Sequence, residues 1–132
     1  MESVENTVLR NLILNEEYNR KVLPFIKPEY FDNQHEKVIF EETAKFIVEY
    51  DRCPTQEIIS IECEKRKDIN DETFKSITTY LKDLDTSVTS DDWLVDTTEK
   101  WCRDRAIYIA LMESIHIADG NDEKKNRDAI PS

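Results

Sequence analysis

The chain has 132 residues, of which 39% are apolar and 36% charged, with a formal net charge of −11. One domain's worth of length with that balance suits amphipathic helices carrying charged outer faces around a single modest core. The acidity excludes tight nucleic-acid binding, which needs a basic face to displace counterions from phosphate, and disfavours anionic membranes on the same ground. The basic clusters Lys65-Arg66-Lys67 and Lys124-Lys125 are both flanked by acids and read as solvated helix ends.

Ser3 opens the helical pattern as a cap, with Val4, Val8, Leu9, Leu12 and Ile13 on one face. Asn15 starts a second short helix through Tyr18, Val22 and Leu23 that ends near Pro24. "IKPEYFD" reads as a connection whose aromatics, Tyr30 and Phe31, fold back as core anchors. A longer helix begins at about Asn33, with Val38, Ile39, Phe40, Phe46, Ile47 and Tyr50 recurring at helical spacing. "DRCPT" stops it, and Thr55 caps "QEIISIECEKRK". The isoleucines there admit a strand, but the Glu, Gln and Lys around them favour helix. Asn70 caps "DETFKSITTYLKDL", with Phe74, Ile77, Leu81 and Leu84 on one face, and "DTSVTS" reads as a linker.

Ser90 with Asp91-Asp92 begins the last helix, placing acids where the helix dipole favours them. Leu94, Thr98, Trp101, Arg105, Tyr108, Met112 and Ile115 recur at 4-3-4-3-4-3, a heptad seam that Thr98 and Arg105 interrupt. After Arg105 the pattern changes: "AIYIALM", Ala106 to Met112, is apolar all the way round. A helix apolar on every side must be covered on every side. Either the head wraps it completely or part of Ala106–Ile117 is an assembly surface. Gly120 is a natural C-terminal cap before the polar run "GNDEKKNRDAIPS". The expected architecture is all-α. Residues 1–86 form a head of about five helices, 87–90 a linker, 91–118 one long helix and 119–132 a polar tail.

Chemistry-bearing motifs are few. Gly120 is the single glycine, so neither a P-loop nor a dinucleotide fingerprint can be present. The cysteines Cys53, Cys63 and Cys102 give an odd count without CxxC spacing, which points to reduced thiols in a cytosolic protein rather than a disulfide framework or a zinc site. Glu113-x-x-His116 has di-iron spacing, but such a site needs a second copy of the motif, and His35 lacks the matching glutamate. The pairs Glu16-Glu17, Glu41-Glu42 and Asp91-Asp92 are sequence neighbours, which do not face one another on a helix. No catalytic, cofactor or metal site is expected. No secretory signal opens the chain, and no apolar run is long enough to span a membrane.

The order of these pieces resembles a known family. Pro28-Glu29-Tyr30-Phe31, the helix from His35 to Tyr50, Trp93-Leu94-Val95, Thr98-Glu99-Lys100, Arg105-Ala106 and Ala129-Ile130-Pro131 together resemble the N-terminal domain of DnaB-type replicative DNA helicases, most nearly those of T-even-like phages. The resemblance spans essentially the whole chain, and it rests on order and spacing rather than on any single motif. It implies a helical head followed by a helical hairpin, with hairpins pairing between subunits to build the collar of a hexameric ring. It also implies a primase partner and an ATPase motor, with its ATP and Mg, lying C-terminal to the collar. The long helix would be the first hairpin helix, and the chain would stop before the second. On that reading Trp101, Tyr108, Leu111, Met112 and Ile115 form the hairpin and subunit interface. The location would be the host cytoplasm. The rival reading is a stand-alone acidic helical adaptor that binds a host or phage protein.

Overall fold

Short polar side chains set the helix starts. Ser3 Oγ accepts from the Asn6 amide at 3.1 Å, and Asn15 Oδ1 from the Tyr18 amide at 3.1 Å. Thr55 Oγ1 accepts from the Ile58 amide at 3.1 Å, and Asn70 Oδ1 from the Thr73 amide at 2.8 Å. Each bond satisfies one of the donors that a helix N-terminus leaves unpaired. The computed structural model describes residues 3–89 and 91–129, with the side chains of the last helix described over residues 92–116. Ser90, expected as a cap, lies outside the described residues.

The elements are α1 (Val4–Leu14), α2 (Glu16–Val22), two 3-10 turns (Leu23–Phe25 and Pro28–Tyr30), α3 (Gln34–Tyr50), α4 (Gln56–Glu64), α5 (Asp71–Lys82) and α6 (Asp91–Ala129). No strand occurs among the described residues, so the fold is all-α, and the "IISI" run is helical. At α3 the capping is inverted. Asn33 accepts no backbone bond, and its amide instead donates to the Glu36 carboxylate at 2.9 Å. The other end of α3 closes on Asp51 at φ 54°, a left-handed position that Asp tolerates better than most residues.

Helix α3 is the spine, packed by α1, α4, α5 and the second 3-10 turn. Its Val38, Ile39 and Phe40 meet Val8, Leu9, Leu12 and Ile13 of α1, Ile59 and Cys63 of α4, and Ile77 and Leu81 of α5 in one core. Tyr30 and Phe31 are buried as expected. Tyr50, expected on the core face of α3, is instead 55% exposed and stacks on Phe46 at 4.6 Å. It is the last residue of the helix, where the core has already ended.

Helix α6 lies on α1, α2 and the second 3-10 turn through its first third, and Ile109 beyond it still packs against the core. The helix then runs on to Ala129, through Gly120 and through residues expected to form a polar tail. Gly120 does not take a positive φ, so no left-handed cap forms there. One glycine within a helix costs only about 1 kcal/mol, and Asp, Glu, Lys and Arg are tolerated in helix.

Trp101 is the anchor of that first third. It is buried, with its ring 5.1 Å from Phe31 and edge-on to Tyr30 at 6.0 Å. Trp101→Ala should therefore cost about 3–5 kcal/mol of stability, read as a lower urea midpoint with little change in slope.

Candidate assembly surface on the long helix

The two residues that interrupt the heptad seam also tie α6 to the head. Thr98 is 1% exposed; its hydroxyl donates to the Leu94 carbonyl at 2.7 Å and shares a 2.6 Å hydrogen bond with the Tyr18 hydroxyl. Arg105 Nε donates to the Tyr30 carbonyl at 2.8 Å, and a terminal guanidinium nitrogen pairs with Asp32 at 2.8 Å. The same guanidinium lies 5.0 Å from the Tyr108 ring centre. Between them Trp101 Nε1 donates to the Glu5 carboxylate at 3.4 Å. Polar residues on an otherwise apolar seam are thus matched one by one to polar groups on the head.

Three acids surround this attachment. Glu5 and Asp32 hold Trp101 and Arg105, and Glu36 sits beneath them, nearly covered. Burial raises the Glu36 carboxyl above its ordinary range, the Asn33 amide and His35 oppose this, and the charges of Glu5 and Asp32 add to it.

Past Arg105 the half-buried Ile109 still packs against the core, while the seam runs on beyond the head. Tyr108 is 51% exposed, Leu111 59%, Met112 47% and Ile115 57%, all on one side of the helix. Ile107, 54% exposed, lies on an adjoining face with Ala110 and Ser114, also exposed. This helix end therefore offers one broad apolar stripe, with Ile107 one turn before Leu111 at its edge. The head does not wrap it. Of the residues expected at an interface, Tyr108, Leu111, Met112 and Ile115 are together and uncovered, whereas Trp101 is taken up by the chain's own core. Ile107 is uncovered with them; the expected assembly stretch Ala106–Ile117 includes it, but the named interface residues, most of them on the seam, leave it out. Nothing in one chain's periodicity distinguishes Trp101 from Tyr108. The end of the head, marked by Arg105, separates them.

Other chemistry is sparse. No group of three or more His, Cys, Asp or Glu that could hold a metal occurs among the described residues, and Glu113 and His116 are both exposed. Burial pushes the Cys63 thiol up to about 12 and the Cys102 thiol up to about 11, and it also raises Cys53, against the opposing hydrogen bond from Asn19. No helix of the described residues is long and apolar enough to cross a membrane.

Similarity to a known protein bears on what this surface meets. Over 123 residues the chain is 28% identical to the "DnaB-like replicative helicase" of Enterobacteria phage T4, an alignment that takes in 91% of this chain and 26% of that protein. This chain has a helicase relative. It spans about a quarter of that relative's length. No protein-family model matches, and no solved structure matches.

Two measurements check the electrostatics. Because folded Glu36 holds its proton to higher pH than the unfolded chain does, the folded state binds more protons across that window, and stability falls as pH rises through it. Glu36→Gln removes that loss, so the variant's urea midpoint should gain on the native chain's as pH rises above the ordinary glutamate range. With iodoacetamide near pH 8, Cys102 should react roughly 100-fold more slowly in the folded chain than in urea, and Cys63 more slowly still.

Proposed function

We propose that this chain is the N-terminal collar domain of a phage replicative DNA helicase, itself non-catalytic, acting in hexamer assembly and in contact with primase during DNA replication. The observation that carries this reading is the broad apolar stripe at Ile107–Ile115, left open beyond the head in a chain with a helicase relative. Exposed apolar area of this kind marks an interface. On this reading a second hairpin helix and a neighbouring subunit share the stripe. The 4-3 spacing of Tyr108, Met112 and Ile115 suits a helix as the occupant of the seam face. The acidic charge of −11 fits a domain that leaves DNA to other parts of the protein. ATP and Mg belong, on this reading, to a motor domain elsewhere in the parent protein, which works in the host cytoplasm.

Met112→Asp, placed in the parent helicase that this reading implies, tests the assignment. A carboxylate at the centre of the seam face should weaken assembly by about tenfold or more, since burying an unpaired charge costs several kcal/mol. Sedimentation should show smaller species, with helicity and the unfolding midpoint of the head unchanged. Native-like assembly by a well-folded variant overturns the role given to this face.

A further inference from the structure

The segment "DTSVT", residues 85–89, has a linker's composition, yet its polar groups are engaged. Asp85 Oδ1 accepts from the Ser87 amide at 2.9 Å, which turns the chain back toward the head. One terminal nitrogen of Arg10 donates to the Ser87 carbonyl and lies 3.2 Å from the Ser87 hydroxyl. Its other terminal nitrogen donates to Thr89 Oγ1 at 3.3 Å. Next to it, Asn11 receives the Thr89 amide on Oδ1 at 3.1 Å and donates through Nδ2 to Thr89 Oγ1 at 3.3 Å and to the Thr7 carbonyl at 2.8 Å. The Asp85 carboxyl is held below its usual range, chiefly by hydrogen bonds from the Ser87 amide and hydroxyl and in lesser part by the charge of Arg10.

Arg10 and Asn11 are adjacent on α1, and both are nearly or wholly buried, at 7% and 0% exposure. Covering a guanidinium and a carboxamide is costly unless their hydrogen bonds are made, so their place in α1 requires an acceptor-rich partner. The loop supplies it with a carbonyl and two hydroxyls, while Val88, the apolar residue between them, is 57% exposed. The planar fork of an arginine spans two residues of the loop at once, which a lysine's single ammonium cannot do.

The position of this clamp matters for α6. The other polar attachments of the helix go to α2, through Thr98 and Tyr18, to α1, through Trp101 and Glu5, and to the second 3-10 turn, through Arg105 and Tyr30. All three lie along the seam, and a rod fixed along one line can still rock about it. The clamp adds a second hold on α1, in the loop that leads into the helix. We propose that Arg10 and Asn11 form a clamp on the loop before α6, which makes the head and the long helix one rigid body and thereby sets the direction in which the Ile107–Ile115 stripe is presented. The proposal stands on the loop geometry and does not depend on the identity of the partner that stripe meets.

Nuclear magnetic resonance on the intact chain tests it, through hydrogen exchange at the Thr89 amide and residual dipolar couplings. In the native chain the Thr89 amide should be protected, and one alignment tensor should fit both the head and residues 92–116 of α6. Arg10→Met should speed Thr89 exchange by roughly 10- to 100-fold, the equivalent of losing a charge-assisted hydrogen bond, while α3 amides keep their protection. Head and helix should then need separate tensors. Arg10→Lys should fall between the two. Thr89→Ala, outside the core, should act in the same direction as Arg10→Met, and it decides the matter where Arg10→Met disturbs the head. An unprotected Thr89 amide or two tensors in the native chain overturn the proposal, as does a folded Arg10→Met or Thr89→Ala variant that changes neither readout.

Discussion

Burial of Trp101 against Phe31 and Tyr30 determines where the long helix sits, and the other contacts between α6 and the head depend on it. An indole of this size, covered on one side of α6, fixes both the rotation of the helix and its axial register against the head. Once it is seated, Leu94 falls into the core two turns earlier, Thr98 meets Tyr18, and Arg105 reaches the Tyr30 carbonyl. The same rotation directs Tyr108, Met112 and Ile115 along the prolongation of the seam, beyond the last residue of the head able to cover them. The intramolecular core and the open stretch are thus two parts of one stripe.

Much of this was legible in the sequence. The starts of α1, α2, α4 and α5 follow from Ser3, Asn15, Thr55 and Asn70, because capping is a local interaction between a side chain and amides two or three residues on. The core face of each helix follows from its spacing. Less legible was everything set by distant partners. Trp101 and Tyr108 are alike by type and period, and only the extent of the head separates a core anchor from an exposed aromatic. The end of α6 at Ala129 was missed because a glycine followed by polar residues carries the signature of a cap, although nothing in that signature forbids a helix from continuing.

The polar residues of α6 carry the same lesson. Thr98 and Arg105 read as defects in a heptad, where an apolar side chain would pack as well or better. In the folded chain each has a partner more than 70 positions away. Sequence spacing cannot reveal such partners, since the complementarity resides in Tyr18 and Asp32. A buried polar pair adds little net stability, but it penalises every register in which either group would be left unpaired. The interruptions therefore select one seating of the helix among those that an all-apolar seam would allow.

The length of α6 beyond its last anchor has a mechanical consequence. Ile115 stands ten residues past Arg105, or roughly 15 Å along the axis at the usual helical rise. A tilt of about 10° at the head would carry it sideways by roughly 2.6 Å, about half the axial pitch of a helix turn. A side chain displaced that far no longer enters the hole opposite it. Angular error is magnified along a cantilever, so the tolerance of any contact made at Ile115 is spent at the root of the helix, in bonds to the head that never touch the partner.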